Sequence, residues 1–414
     1  MMMDTKHRSK AYFDWPLLIA MGILSIFGLY CITMATYDIS VSGDLPLLNK
    51  ILNSRSSMWQ SIFILVSPII IFIITSLPTE LYRMRAGLAY FGILGLLLVT
   101  LIAGTVVSGL KGWLDTGIGR SMQPSEFAKI SVLLLLARYL SKPEQPMSTF
   151  KSFVVTLMIA AIPAGVILLQ GETGTVIVLV FMFMAMIFFS GASLRVVLGL
   201  LTVGLIGIGV LVAYGLMDDD PNYRIVRILA FLDPQAYRQS GGYQILRSQD
   251  TIGSGQVTGV GFFQSGSMTT LQYVPESSTD FIFTVVGECF GFIGCIGVLL
   301  VYLFMIMRMI FLARFTQDKF GQLVIVGVAA TLFFHVFQNV AMTLGLMPIT
   351  GIPLPFLSYG GSNLLTNVAS VSLVLNVVKY RSTTAVTLYQ LPKIKEKDKE
   401  RILNRERDRR QSGA

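Results

Sequence analysis

An all-α polytopic membrane protein is what this sequence predicts, and three observations predict it. Of 414 residues, 53% are hydrophobic and only 13% are charged, against about 25% charged in soluble chains. Mean hydropathy is +0.69. Apolar runs of the roughly 20 residues that a helix needs to cross about 30 Å of hydrocarbon recur from Trp15 almost to Lys379, which leaves no length for a soluble catalytic domain.

Hydropathy and helix breakers give about ten transmembrane helices, over residues 15–36, 59–77, 86–107, 125–140, 152–169, 174–190, 195–216, 281–309, 322–346 and 362–379. The first follows MMMDTKHRSK and carries no small-residue cleavage pattern, so it is expected to be retained. With a cytoplasmic N-terminus, Lys and Arg concentrate in the cytoplasmic segments, and an even number of spans returns the C-terminus to the cytoplasm. One membrane domain is therefore expected over 1–380, followed by a basic cytoplasmic tail over 381–414. In that tail KIKEKDKERILNRERDRR, from Lys393 to Arg410, would lie near anionic lipid. Topology explains the net charge of +9, so no nucleic-acid partner is expected. Cys31, Cys289 and Cys295 lie in apolar runs without CxxC spacing and read as packing residues.

Two segments depart from short connections. Residues 108–124, SGLKGWLDTGIGRSMQP, are Gly-rich and lead into a short fourth span. The outer loop between the seventh and eighth spans, about 218–279, is far longer than the roughly 15 residues at which loops become functional or disordered. Chemistry is therefore sought at the outer face. Nucleotide hydrolysis, dinucleotide redox, zinc proteolysis and serine hydrolysis lack their motifs.

Ionisable groups at membrane depth are costly and usually functional. Glu126 and Lys129, three apart in QPSEFAK, share a helical face, as an internal ion pair or as a pair that also orients a substrate or a catalytic acid. Asp280, with Glu276 four residues earlier, ends the long loop in YVPESSTDFIF, where it is either a helix N-cap or a working carboxylate. It shares the outer side with Arg224, Arg227, Arg238 and Arg247, and Lys129 is placed within reach. A carboxylate among cations beside lipid suits a phosphate-bearing amphiphile, the carboxylate as base or metal ligand. Glu288, two turns past Asp280, and Glu172 in QGETGT have adequate structural readings as a buried carboxyl and a helix cap. Ser358 opens SYGGS after MPITGIPLPFL, an irregular segment expected to dip back against protein. His335 reads as a buried, hydrogen-bonded helix residue.

The motifs GWLDTGIGRSMQPSEFAK, RILAFLDP, GGYQILRSQDTIGSG with GVGFFQ, YVPESSTDFIFTVVGE and GLMPITGIPLPFLSYGGS together resemble the SEDS family (shape, elongation, division, sporulation), which includes RodA and FtsW. The last motif is more similar to that of RodA. The resemblance runs nearly end to end. It implies a ten-span peptidoglycan glycosyltransferase in the bacterial cytoplasmic membrane, polymerising lipid II at the outer face for elongation and shape, beside a class B penicillin-binding transpeptidase in an elongation complex. The family's essential carboxylate falls on Asp280, its paired Glu and Lys on Glu126 and Lys129, and its loop arginine on Arg227. Asp280 would act as base, alone or through a divalent cation, Mg2+ or Mn2+. Glu276, Glu172 and Ser358 are the further substrate-binding candidates. The chain departs from the family pattern with Cys289 in place of a second Glu and with Gly112 in place of an Arg before Trp113. A lipid-linked precursor flippase and a non-catalytic scaffold for a transpeptidase are the competing functions. A partner's membrane helix is expected on the eighth and ninth spans, at Gly291, Gly294 and Gly297, where small residues permit close approach.

Overall fold

The computed structural model describes residues 13–36, 45–107, 110–115, 117, 121–142, 147–216, 223–239 and 241–380. The first twelve residues, the tail over 381–414 and the side chain of Arg224 lie outside the described residues.

Each expected span is a helix: α1 (Trp15–Ala35), α3 (Arg55–Ser76), α4 (Thr79–Ala103), α5 (Pro124–Leu140), α6 (Phe150–Leu169), α7 (Thr173–Ser190), α8 (Leu194–Leu216), α11 (Ile282–Arg314), α12 (Lys319–Thr343) and α13 (Gly361–Tyr380). Eight are long and apolar enough to cross a membrane; α5, with 17 residues, and α8 are the other two. Hydropathy places the start of α4 too late because its first turns carry charge. Arg83 sits inside that helix, 2.5 Å from Asp318, and lies over the ring of Phe320. Asp318 in turn caps α12 through Gly321 N at 3.0 Å. A second clasp joins the same end of the bundle: fully buried Asp14 caps α1 through Leu17 N and pairs with Arg308 of α11 at 2.8 Å.

The core forms around α12, which packs against α5, α7 and α11, while α5 also packs against α4 and α6. At about 1.5 Å per residue, α5 is some 26 Å long and does not cover the hydrocarbon alone. Its N-terminal end is preceded by three short antiparallel strands, β1 (Thr105–Val107), β2 (Leu110–Asp115) and β3 (Ser121–Met122), ordered β1-β2-β3 with Thr105 opposite Trp113 and Leu114 opposite Met122. The sequence suggests only an irregular Gly-rich connection here. A small helix, α2 (Leu47–Asn53), is likewise not expected from it.

The long connection between α8 and α11 also carries structure. Helices α9 (Tyr223–Leu232) and α10 (Gly241–Ser254) occupy it, and α10 lies on α11. Ile245 of α10 is buried with Val274, Phe281 and Ile349 in a small cluster apart from the main core.

Helix α11 is broken at Gly291, whose φ of 65° and ψ of −162° no helix contains. A break strands donors and acceptors that water would otherwise satisfy. The loop supplies them instead. Val260 N and Gly261 N donate to the carbonyls of Glu288 and Cys289 at 2.9 and 3.2 Å, and Phe292 N and Ile293 N donate to Gln256 and Val257 at 2.9 and 3.1 Å. Glu288 completes the join, accepting from Met268 N at 2.6 Å and Thr269 N at 2.7 Å. This corrects the expected docking positions. Gly291 is buried against Val257 and Gly259, and Gly294 faces the side chain of Phe290, so only Gly297 is open. The outward stripe of α11, Phe292, Ile296, Leu300, Leu303 and Met307, is nevertheless exposed and apolar.

Candidate active site

The segment before α11 fixes Asp280 through its backbone. Glu276 adopts φ 58°, and its carbonyl accepts from Thr279 N at 3.1 Å and Phe281 N at 3.2 Å, closing a tight turn. Three successive carbonyls are then held. Ser278 O accepts from Tyr359 N at 2.8 Å, Thr279 O from Ser358 Oγ at 2.6 Å, and Asp280 O from Asn339 Nδ2 at 2.7 Å. Asn339 also donates to Ile352 O at 2.8 Å, so α12 fastens the Asp280 turn and the re-entrant segment together.

With the main chain so constrained, the Asp280 side chain is left for other work. No side chain caps α11, whose N-cap is Phe281, so the capping explanation of Asp280 does not hold. Half-buried, the carboxylate is pushed up to about 6, chiefly by loss of hydration, then by the negative charge of Glu276; Arg227 opposes both. One carboxylate oxygen lies 3.3 Å from where a Cβ on Gly351 would be, so a side chain there would crowd it. Arg227, on α9, donates to Ile349 O at 3.3 Å, anchored on the same re-entrant segment. Glu276 is exposed and accepts from Thr279 Oγ1 at 3.0 Å.

A second cluster lies inside the bundle. Lys129 Nζ is 2.9 Å from Glu126 Oε1 and 3.0 Å from His335 Nε2, and Thr366 Oγ1 is 3.1 Å from the other Glu126 oxygen. His335 Nδ1 faces Thr331 O at 2.7 Å. A carbonyl only accepts and an ammonium only donates, so the proton is on Nδ1 and the imidazole is neutral. A cavity of about 10 Å³ adjoins Glu126, Lys129, Thr366 and Ser370, room for about one water. Lys129 is 6% exposed. Among the described residues the charges bearing on Asp280 are Glu276 and Arg227, so of the two counter-charges that the sequence offers Arg227 acts on the carboxylate and Lys129 does not.

Glu172 and Ser358 also take different places from those expected. Glu172 belongs to the N-terminal end of α5, accepting from Ser125 Oγ at 2.5 Å and Thr175 Oγ1 at 3.2 Å. Burial raises its carboxyl above the usual range. The Cβ of any residue at 112 would stand 1.7 Å from Glu172 Oε1, so a side chain there would force this glutamate out of its present position. Ser358, 2% exposed, has its hydroxyl committed: it donates to Thr279 O and accepts from Leu354 N at 2.8 Å. It positions the Asp280 turn, and its one proton is already given to Thr279 O. His335 and Asn339, four apart on one face of α12, join the two clusters; a polar pair at that spacing within a membrane span is the signal that could have found Asn339.

Among the described residues no three His, Cys, Asp or Glu side chains converge as a metal cage. Mg2+ commonly sits on one or two carboxylates plus substrate phosphate oxygens. Asp280 with Glu276 fits an ion shared with a phosphorylated ligand, and does not fit a resident one.

Comparison with known proteins gives this geometry its context. The family model FTSW_RODA_SPOVE, described as cell cycle protein, matches residues 16–383. The chain belongs to this family. It is 33% identical over 313 residues to the peptidoglycan glycosyltransferase MrdB of Escherichia coli K12, covering 76% of this chain and 83% of that protein. It is 35% identical over 324 residues to stage V sporulation protein E of Bacillus subtilis, covering 78% and 86%. Among solved structures, the rod shape determining protein RodA of Thermus thermophilus superposes with a TM-score of 0.65 at 25% identity, covering 89% of this chain and 97% of that one. A chain of a peptidoglycan synthase complex that coordinates polymerization and crosslinking superposes with a TM-score of 0.72 at 27% identity, covering 89% and 98%. The family match over residues 16–383 takes in both charge clusters, and the solved structures superpose over 89% of this chain.

Proposed function

We propose that this chain is a peptidoglycan glycosyltransferase that polymerises lipid II into glycan strands at the outer face of the bacterial cytoplasmic membrane, with both termini in the cytoplasm. The observation that carries the reading is Asp280: a half-buried carboxylate beside Arg227, its turn held at three consecutive carbonyls, in a chain related to peptidoglycan glycosyltransferases. The 4-hydroxyl of the acceptor sugar attacks the donor's anomeric carbon and gives its proton to Asp280. The new C–O bond forms as the bond to polyprenyl diphosphate breaks, with inversion, and the leaving group carries away the electron pair. A carboxyl with a value of about 6 is mostly ionised at neutral pH and basic enough to take that proton. Arg227 supplies positive charge near the diphosphate. A divalent cation, Mg2+ or Mn2+, held by Asp280 and Glu276 would neutralise diphosphate charge. Ser358 and Asn339 fix the turn on which the base stands.

The partner in this reading is a class B penicillin-binding transpeptidase within an elongation complex, seated on the apolar outward stripe of α11. Likeness to a chain of a synthase complex in which polymerization and crosslinking are coordinated supports that pairing. Cysteine cross-linking from Gly297 to the partner's membrane helix checks the surface. The activity test is purified protein in lipid, given lipid II with and without Mg2+ or Mn2+. Glycan strands are the expected product. Translocation of lipid II without polymer would make the chain a flippase, and neither outcome would leave it a scaffold. Strand synthesis unaffected by chelation would remove the metal.

A further inference from the structure

On the outer side, α9, α10, the connection between them and the chain at Pro275 line an open cavity of about 450 Å³, within the roughly 300–1,000 Å³ range of ligand sites. Its polar lining is Arg227, Arg238, Gln239, Tyr243 and Gln244. Among the described residues no carboxylate lines it, so the cavity carries two positive charges and no negative one. Among the described residues the neighbouring charged groups are otherwise engaged, Glu276 beside Pro275 accepting from Thr279 Oγ1 at 3.0 Å. Arg247 pairs with Asp250 at 3.3 Å and lies against the rings of Tyr243 and Tyr273. Asp233 caps its own turn through Gln235 N and Ala236 N. Arg238 is different: among the described residues its guanidinium has no hydrogen bond, ion pair or ring contact.

We propose that this cavity is a substrate subsite for a carboxylate-bearing peptide, the stem carried by the lipid-linked disaccharide, with Arg238 as its principal anion ligand and Arg227 as the link to Asp280. The inference rests on the glycosyltransferase reading and adds to it a part of the substrate remote from the reacting bond. The lining decides between anions. A diphosphate presents only acceptor oxygens and is met best by cations and N–H donors, whereas Gln239 and Gln244 each offer an acceptor as well as donors. A peptide presents both N–H and C=O groups, which carboxamides match, and carboxylates, which guanidinium groups meet with two parallel hydrogen bonds. The volume also exceeds what a diphosphate needs.

Full-length protein in phospholipid nanodiscs, titrated with lipid II, provides the test. Arg238→Gln is expected to raise KM about tenfold while kcat changes less than about twofold, as removal of one charge-assisted contact made equally in ground and transition states requires. Arg238→Lys should recover part of the affinity. Displacement of a fluorescent lipid II analogue reads the same site without turnover. There the disaccharide peptide, freed from its lipid diphosphate, should compete in the wild type and about tenfold less well in Arg238→Gln; inorganic diphosphate should compete equally in both. Diphosphate competition lost only in the variant would reassign the cavity to phosphate and overturn the carboxylate. An unchanged KM and unchanged displacement would overturn the subsite. Wild-type protein that binds the analogue but makes no strands would refute the glycosyltransferase reading while leaving the displacement result interpretable.

Discussion

The two charge clusters joined by α12 are built from similar groups and are held in opposite ways. In the inner one, Glu126 and Lys129 satisfy each other, His335 and Thr366 complete them, and all four side chains are buried. In the outer one, the fixed parts are backbone carbonyls, and among the described residues Arg227 is the cation that bears on the Asp280 carboxylate. The difference teaches where turnover belongs. A pair that neutralises itself in a low dielectric is a strut, whereas a carboxylate raised by burial on a rigid turn has reactivity to spend. Breaking each cluster separately tests that division.

The largest effect is expected from Asp280→Asn. The near-isosteric amide leaves the held carbonyls of residues 278–280 untouched, so the melting temperature should stay close to the wild-type value. Strand synthesis should fall by about 10² to 10⁴, the usual worth of a general base. Near-normal synthesis by folded protein would move the base elsewhere.

Lys129→Met attacks the inner cluster and should act first on stability. It strands Glu126 inside the bundle and removes the donor to His335 Nε2; breaking half of a buried pair costs about 3 to 5 kcal/mol. Glu126→Gln combined with Lys129→Met removes the stranded charge. If the cluster is a strut, the double variant regains both stability and most turnover. Stability regained without turnover would place Lys129 in the chemistry and erase the contrast between the clusters.

How much of this is legible in the sequence depends on the range of the interactions. The ten helices are written in local composition, and Asp280, Glu126 and Lys129 stand out because charge is expensive in hydrocarbon. The strands over 105–122 are too short to show a period, and α9 and α10 are stabilised by contacts with α11 and the re-entrant segment, which no local window contains. Which cation faces Asp280 is equally hidden, because Arg227 lies fifty-three positions away along the chain and is brought in by its bond to Ile349 O. Ser358 is marked by its motif, but its role is visible only in the bonds to Leu354 N and Thr279 O.

The pH profile sharpens the outer half of the comparison. A general base works ionised, so kcat/KM should fall about tenfold per unit as pH drops below about 6. Glu276 raises the Asp280 value and Arg227 lowers it. Glu276→Gln should therefore shift the acidic limb to lower pH, and Arg227→Gln to higher pH. Shifts in the same direction, or none, would mean that the limb belongs to another group.

Ser358→Ala is expected to give the smallest change, and it separates positioning from binding. The substitution removes the donor to Thr279 O and leaves Leu354 N, in a buried segment, without its acceptor. Leaving one buried backbone group unsatisfied costs about 1 to 3 kcal/mol, a loss that should appear in the melting temperature. The turn is still held by Tyr359 N on Ser278 O and Asn339 on Asp280 O, so the base is loosened and not released. A few-fold fall in kcat with KM and the acidic limb unchanged is the signature of a residue that acts only through the placement of Asp280. A rise in KM with kcat preserved would instead show that the hydroxyl meets the substrate, through the lone pair that Leu354 N leaves open or after release from Thr279 O.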